Sequence, residues 1–235
     1  MDELVRRWAH GWTLCRGLAA PLDQPAALEV TLGLPGRDRE VFALTDHPET
    51  VDNLAIKVAK ATKPRARTRE GEGTRESEGE RAREREAVWL TVTTNRPETA
   101  AAVLEQAGLK LRDEPCLLMS VDLAEHPAKP APPEYRLETT SDGPLEYAKI
   151  IDAQGNLAAR GMAAIVGEDA VMHDIHTDPA HRRRGLGSVV MTLLSRRARS
   201  RGATTGLLMA TPDGAYLYSG LGWSTEATML TAASS

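Results

Sequence analysis

Residues 182–188, R-R-R-G-L-G-S, place two glycines and three arginines directly before an amphipathic run. Glycine lacks a Cβ atom, so Gly185 and Gly187 allow several backbone N–H groups to turn toward one point. The following run has apolar residues at helical spacing, and a helix N-terminus adds positive potential. The segment therefore predicts an anion site that suits a pyrophosphate. The alternative is a glycine loop with solvated arginines.

A second chemically informative stretch is 215–223, A-Y-L-Y-S-G-L-G-W, which predicts a short helix running into a turn. It follows a predicted buried strand at 206–211. A phenol with a pKa of about 10, such as that of Tyr218, can donate a proton at neutral pH. The alternative for Tyr218 is a half-buried structural tyrosine.

Both stretches resemble the GNAT superfamily of N-acyltransferases. The spacing R-x-x-G-x-G resembles its acyl-CoA signature, the preceding I-x-T-D-P resembles the strand that leads into it, and L-Y-S-G-L-G-W resembles its L-Y-x-x-L-G-F/W ending. The resemblance implies an α+β fold with a mixed, mostly antiparallel sheet flanked by helices. It also implies an enzyme that transfers an acetyl or other acyl group from acetyl-CoA directly to a primary amine in a ternary complex.

The resemblance also assigns roles to residues. The loop backbone would hold the pyrophosphate, the preceding strand end would pair with the pantetheine arm, and Tyr218 would protonate the departing thiolate. The predicted acetyl-CoA-binding residues are Ile175, His176, Thr177, Arg182, Arg183, Arg184, Gly185, Leu186, Gly187, Ser188 and Thr211. Thr211 departs from the pattern, because the superfamily often has an asparagine there and threonine offers only one hydroxyl.

The predicted general base is His173, because an imidazole ordinarily titrates near pH 6.5. A regular strand would place His173 on the same face as Ile175 and Thr177, with Asp174 and His176 on the other. A satisfied structural histidine and a water-relayed deprotonation are the open alternatives.

Three functions compete for these motifs. An acyltransferase would use the loop, Tyr218 and an amine, and a non-catalytic acyl-CoA-binding sensor or scaffold would use the loop alone. A nucleic-acid-binding module would use the arginines at 182–184 and 196–201. Residues 134–235 carry ten Lys and Arg against eleven Asp and Glu, so they lack the net basic field of a nucleic-acid binder. Tyr218 favours the enzyme, and the acceptor amine stays unidentified.

Apolar periodicity predicts the elements that position these residues. Strands are expected at 135–139, 145–152, 157–166 and 170–177. Only residues 140–144 separate the first two, where the superfamily usually has two helices that form part of the acceptor wall. We therefore expect the N-terminal half, or a second subunit in a homodimer, to supply that wall.

The N-terminal half predicts a hairpin at 27–32 and 40–45, helices at 51–59 and 97–107, and strands at 87–94 and 114–123. The N-terminal half ends in a strand with T-V-T-T, a helix, the tripeptide A-G-L and a last strand. The C-terminal half ends in the same order, with L-M-A-T in the strand and L-G-W after the helix, which predicts two weak copies of one unit. Aligning Gly108 with Gly222 puts Leu104 opposite Tyr218. No glycine loop precedes the helix at 51–59, where the chain has Asp46-His47-Pro48 instead. The first copy is therefore predicted to be degenerate.

The predicted domains are 1–125, a degenerate GNAT-like domain, and 134–235, the acyl-CoA-binding catalytic domain, joined by a Pro-rich linker at 126–133. Residues 64–87 hold seven Arg and seven Glu without a large apolar side chain, which predicts a disordered charged insertion.

Composition bounds the remaining classes. The chain has 235 residues, 41% of them hydrophobic, and a net charge of −4, which predicts a globular protein without a membrane or nucleic-acid partner. The N-terminus lacks the apolar core of a secretory signal, so a cytoplasmic location is predicted. Cys15 and Cys116 lie far apart, which argues against a disulfide framework or a metal site.

Overall fold

The computed structural model describes residues 1–61, 87–112 and 114–234. Twelve strands form one continuous sheet in the order β1-β2-β3-β4-β12-β6-β11-β10-β9-β8-β7, and β5 pairs with β12 beside this path. Two neighbouring pairs are parallel, β3 with β4 and β10 with β11, and the other pairs are antiparallel. The predicted fold class, a mostly antiparallel sheet flanked by helices, is confirmed.

The elements of the first half follow the apolar periodicity of the sequence. They are α1 (Asp2–Cys15), β1 (Leu22–Gln24), β2 (Ala27–Leu34), β3 (Arg37–Ala43), α2 (Pro48–Ala61), β4 (Val88–Thr94), α3 (Pro97–Gln106), β5 (Leu109–Leu111) and β6 (Cys116–Asp122). The predicted hairpin, helices and strands are all present, whereas α1, β1 and β5 were not predicted. The predicted disordered insertion at 64–87 lies, except for Ala87, outside the described residues.

The second half begins with a meander of four strands. Its elements are β7 (Arg136–Asp142), β8 (Leu145–Ile151), β9 (Leu157–Val166), β10 (Asp169–Thr177), a short 3-10 helix (Pro179–His181), α4 (Leu186–Ser200), β11 (Thr205–Ala210), α5 (Pro212–Ser219) and β12 (Ser224–Ser234). The predicted strands and both helices are present. A tight turn joins β7 to β8, so no helix lies between them.

The two halves exchange their last strands. The first half ends in β6, which pairs with β11 of the second half, and the second half ends in β12, which pairs with β4 of the first. The pairing of β6 with β12 closes the seam between the halves. The sheet therefore runs across the predicted boundary at residue 125, and the division into two domains stays a prediction.

The helices are distributed unequally over the two faces of the sheet. One face packs against α2 and α3 over the first half and against α4 and α5 over the second. Within the described part of the chain, the other face packs against α1 alone, through a core of Val5, Trp8, Ala9 and Trp12 against both halves. Among the described residues, no helix combines the length and the apolar character that a bilayer span requires.

Helix α1 lies against β9 and β10 of the second half, on the face that α4 leaves free. The approach is close at Gly11, where an added Cβ atom would lie 2.2 Å from Cγ2 of Val171 on β10. Any side chain at Gly11 would therefore push α1 away from the strand. The first half thus contributes α1, the helix that covers this face of β9 and β10. The second half has no helix of its own between β7 and β8.

Candidate functional site

The site is built around a cleft between the two parallel strands β10 and β11. Their pairing covers Asp169–Thr205, Ala170–Gly206 and Val171–Leu207, and the strands part beyond the last pair. The edge of β10 past Val171 is therefore turned toward the cleft instead of toward a neighbouring strand. A cavity of about 270 Å³ lies there, lined by residues of β10, β11, α1 and α5.

A β-bulge lies in β10 where it enters the cleft. Asp174 has a φ of 50°, and the register against β9 shifts between His173 and His176. A bulge adds one residue and so reverses the alternation of side chains beyond it. Ile175 accordingly packs on the α4 face, near Gly161, while His173 lines the cavity with Trp8 and Trp12 of α1.

The prediction that His173 shares a face with Ile175 was therefore wrong. It assumed a regular strand, and the bulge turns His173 toward α1. Beyond the bulge, His176 is exposed and Thr177 is half-buried. Asp174 forms an ion pair with Arg160 of β9, at 2.7 Å between Oδ2 and Nε.

His173 is held in its neutral form by its surroundings. Burial lowers its pKa below the ordinary value, the positive charge of Arg16 lowers it further, and Asp174 acts in the opposite direction. Arg16 also stacks on Trp12, at 5.0 Å from its guanidinium carbon to the ring centroid. A neutral imidazole facing the cavity is able to accept a proton at neutral pH.

We predict that Arg16→Gln moves the acid limb of the kcat/KM profile to higher pH. If His173 is the base, the rate rises with pH as its imidazole loses a proton, and removing the positive charge of Arg16 raises the pKa of that step. The measurement is kcat/KM for one amine across pH. A second rise of kcat/KM, caused by deprotonation of the free amine, should keep its pH midpoint in this variant. An acid limb at the same pH as in the unchanged protein would contradict the role of His173.

Tyr218 lies on α5 and lines the same cavity as His173. Its side chain is largely buried, in contact distance of Trp223 at 6.1 Å between ring centroids. Burial raises the pKa of the Tyr218 phenol to about 12. The phenol therefore keeps its proton at neutral pH, and it becomes a donor only when strong negative charge develops beside it.

The loop before α4 has the backbone geometry of an anion site. Arg183 and Gly185 adopt positive φ angles of 63° and 77°, and α4 begins at Leu186 without a side-chain cap. The first intrahelical bond recorded there is from the N–H of Val189 to the carbonyl of Gly185. The preceding N–H groups of the first turn have no partner inside the helix and point out of its end.

Gly187 connects this loop to the rest of the site. A Cβ atom there would lie 3.0 Å from Cδ2 of Leu217 on α5 and 3.8 Å from Oγ1 of Thr177 on β10. The N-terminus of α4, the end of β10 and α5 therefore meet at one glycine. The Leu186 side chain is buried in the core, so Leu186 offers the site only its backbone.

The three arginines of the loop differ in their contacts. All three are exposed, and Arg184 donates from Nη1 to the Tyr135 hydroxyl at 3.1 Å. That hydroxyl also lies 3.0 Å from Nδ1 of His181, whose Nε2 is 3.5 Å from Oδ2 of Asp152. Tyr135 and His181 thus connect the loop to the turn between β8 and β9. No local pattern predicts this role of Tyr135, because its partners lie 46 and 49 residues further along the chain.

Thr211 has a structural task in addition to its place at the site. Its hydroxyl accepts a hydrogen bond from the N–H of Gly214 at 3.2 Å and so caps α5. It also lines the cavity between His173 and Tyr218. The structure therefore brings His173, Tyr218 and Thr211 to one cavity, with the loop at its α4 side. Among the described residues, no group of His, Cys, Asp and Glu has metal-site geometry.

Residues 116–222 match the acetyltransferase (GNAT) family. This stretch of the chain belongs to the GNAT superfamily. The matched stretch starts at β6 and ends just after α5, so it contains the cleft, the loop and Tyr218. The predicted membership of this superfamily is confirmed, and with it acyl transfer as the general activity of the family.

Solved GNAT structures share the fold over the length of the chain. A GCN5-related N-acetyltransferase from Kribbella flavida is similar over 99% of this chain and 95% of its own, with a TM-score of 0.68 and 16% identity. A tandem GNAT protein from the clavulanic acid biosynthesis pathway is similar over 89% and 78%, with a TM-score of 0.56 and 11% identity. At these identities the likeness concerns the fold alone. No curated protein matches the chain.

Proposed function

We propose that this GNAT protein is an N-acetyltransferase that transfers the acetyl group of acetyl-CoA to a primary amine by direct attack in a ternary complex. The observation that carries the proposal is the cavity where β10 and β11 part, which has His173 and Tyr218 in its lining. The surroundings of these two side chains favour opposite protonation states. One is a neutral base and the other a protonated acid.

The two faces of the cleft support different binding partners. The loop and the start of α4 lie on one face, where exposed N–H groups and glycine backbone suit a pyrophosphate. Trp8 and Trp12 of α1 lie on the other face, where His173 points. The thioester would therefore enter from the α4 side and the amine from the α1 side, which agrees with direct transfer between two bound substrates.

The chemistry assigns proton transfers to both residues. His173 accepts a proton from the attacking ammonium, which frees the nitrogen lone pair to form the new C–N bond. As the C–S bond breaks, Tyr218 donates its proton to the departing thiolate, and the second proton of the nitrogen returns to the tyrosinate as the amide forms. The proton that His173 accepted then leaves to solvent. Because the phenol is a weak acid, the transfer to the thiolate would accompany bond breaking and would not precede it.

The loop residues fit acetyl-CoA on one specific observation. At Gly187 a Cβ atom would lie 3.0 Å from Cδ2 of Leu217 and 3.8 Å from Oγ1 of Thr177, so glycine leaves more of the backbone open to a ligand than a larger residue would. Arg182 and Arg183 are exposed beside it and can add charge. The unpaired edge of β10 would supply backbone groups for the pantetheine arm.

Thiol release from acetyl-CoA tests the proposal. We expect free thiol to appear when a primary amine is added and to match the amount of acetylated amine, with no release in the absence of acceptor. A panel of amino acids, peptides, aminoglycosides and simple amines is the starting point. Calorimetric binding of acetyl-CoA without thiol release on any of these amines would instead favour the acyl-CoA sensor.

A further inference from the structure

A second, larger cavity lies on the sheet face that carries α1. Its volume is about 730 Å³, within the range of pockets that hold small-molecule ligands. It shares Trp8, Trp12, Met209 and Thr211 with the cleft cavity, so the two adjoin. We call this cavity the sheet-face trough. It extends from the cleft over the exchanged strands to β4 of the first half.

At the far end of the trough, two arginine side chains stack on one tryptophan ring. Arg37 and Arg112 both stack on Trp89, with guanidinium carbons 4.5 and 4.8 Å from the ring centroid. The indole N–H of Trp89 donates to the carbonyl of Gly36 at 2.8 Å, which fixes the ring. Stacking and this hydrogen bond hold the two guanidinium groups in place before any ligand arrives.

The buried carboxylate of Glu40, beside Arg37, already has hydrogen-bond donors. Glu40 is buried, and it accepts hydrogen bonds from Nη2 of Arg37 and, at 2.6 Å, from Oγ1 of Thr91. Nε of Arg37 is buried without a partner among the described residues. No ion pair is recorded for Arg112 within that part of the chain. Exposed Arg112 therefore offers the trough guanidinium donors that no described carboxylate accepts.

The net charge of the trough identifies the missing acceptor. Among the described residues that line it, Arg37, Lys110 and Arg112 are the cations, and Glu40 and Glu114 are the carboxylates. One positive charge is left over, which matches a singly charged carboxylate better than a phosphate dianion. The fork of a guanidinium also fits a carboxylate in a bidentate arrangement.

The register of the strands gives the distance between the two ends. Met209, level with the cleft, pairs with Leu118, and Met229 pairs with Cys116 two residues further along β6. The N–H of Arg112 binds the carbonyl of Thr231, two residues beyond Met229. His173 on β10 is level with Met209 on β11, and Arg112 lies on the same edge of β12 as β6. Two strands across at about 4.8 Å each and four residues along at about 3.3 Å each give about 16 Å from His173 to Arg112, and the parting of β10 from β11 makes this a minimum distance.

On the basis of the proposed acetyl transfer, we propose that the acceptor is an elongated primary amine with a carboxylate at its far end. Its amine lies at His173, its middle crosses the floor of Trp8, Trp12 and Met209, and its carboxylate binds Arg112 and Arg37. About 16 Å is the length of roughly five extended residues, so a short peptide with a free amino terminus has the required dimensions.

The test compares pentaalanine that has a free carboxylate with pentaalanine amide, because the two share length and amine and differ only in the anion. Calorimetric Kd values are measured for the unchanged protein, for Arg112→Gln and for Arg199→Gln. Arg112 is exposed and can be replaced without unpairing buried Glu40, and Arg199 is an exposed arginine on α4 that serves as the matched control.

We expect the free carboxylate to bind roughly tenfold more tightly in the unchanged protein and in Arg199→Gln, and the preference to vanish in Arg112→Gln. Dialanine is too short to reach Arg112, so its affinity should not change in that variant. Equal binding of the two pentapeptides, absence of binding by both, or a preference that survives Arg112→Gln would overturn the proposal. A carboxylate preference that depends on Arg112 but comes without thiol release would uphold this site and contradict acetyl transfer.

Discussion

Tyr218→Phe should lower kcat by roughly 100-fold and leave the affinity for acetyl-CoA almost unchanged. The substitution keeps the ring in contact with Trp223 and removes only the hydroxyl that lines the cavity. General acid catalysis contributes about this factor or more, and an interaction made only in the transition state affects kcat and kcat/KM equally. Steady-state kinetics with the best acceptor, together with calorimetry for acetyl-CoA, measure both quantities.

The same helix offers a matched control. Tyr216 lies two residues earlier on α5 and is 84% exposed, so Tyr216→Phe makes the same chemical change outside the cavity. It should leave kcat within about twofold. A Tyr218→Phe enzyme as active as Tyr216→Phe would mean that the thiolate leaves without this proton, and the role of Tyr218 would be wrong.

Gly187→Glu should weaken acetyl-CoA binding by roughly 100-fold or more. The new side chain would occupy the space between Leu217 and Thr177 and place a negative charge at the N-terminus of α4, where the pyrophosphate is proposed to bind. Calorimetry with acetyl-CoA measures the loss. Circular dichroism melts establish that the variant is folded, since Leu217 can yield to a small displacement.

Gly187→Gln separates charge from size, because glutamine has the shape of glutamate without its charge. We expect it to bind acetyl-CoA about tenfold more tightly than Gly187→Glu, and added salt should reduce that difference. An equal loss of acetyl-CoA affinity in both variants would show that the size of the side chain, and not its charge, weakens binding. Unchanged affinity in both would place the pyrophosphate somewhere else.

The sequence predicted the parts of the site that depend on local chain chemistry. The start of α4 follows from two glycines ahead of an apolar helical pattern, and the structure begins the helix at Leu186. The position of Tyr218 at the cleft also follows from a short motif, since α5 comes directly after β11. Both involve neighbours close in the chain, where spacing alone defines the geometry.

Pairings between distant residues account for what the sequence could not predict. The bulge in β10 depends on its register with β9 and on an aspartate that tolerates positive φ, so His173 was given the wrong face. The place of α1 depends on Gly11 meeting Val171, 160 residues later. The sheet-face trough exists only once both halves have come together. The spacing of apolar residues along the chain does not predict such contacts between distant residues.

The exchange of terminal strands has a consequence for biosynthesis. Strand β4 lies beside β12, so the first half of the sheet is completed only by Ser224–Ser234. During synthesis from the N-terminus, an emerging chain would leave the edge of β4 without its neighbour until residues 224–234 have left the ribosome. Such pairings between remote segments also slow folding. Newly made chains should therefore depend on chaperones over a longer interval than chains in which each half closes its own sheet.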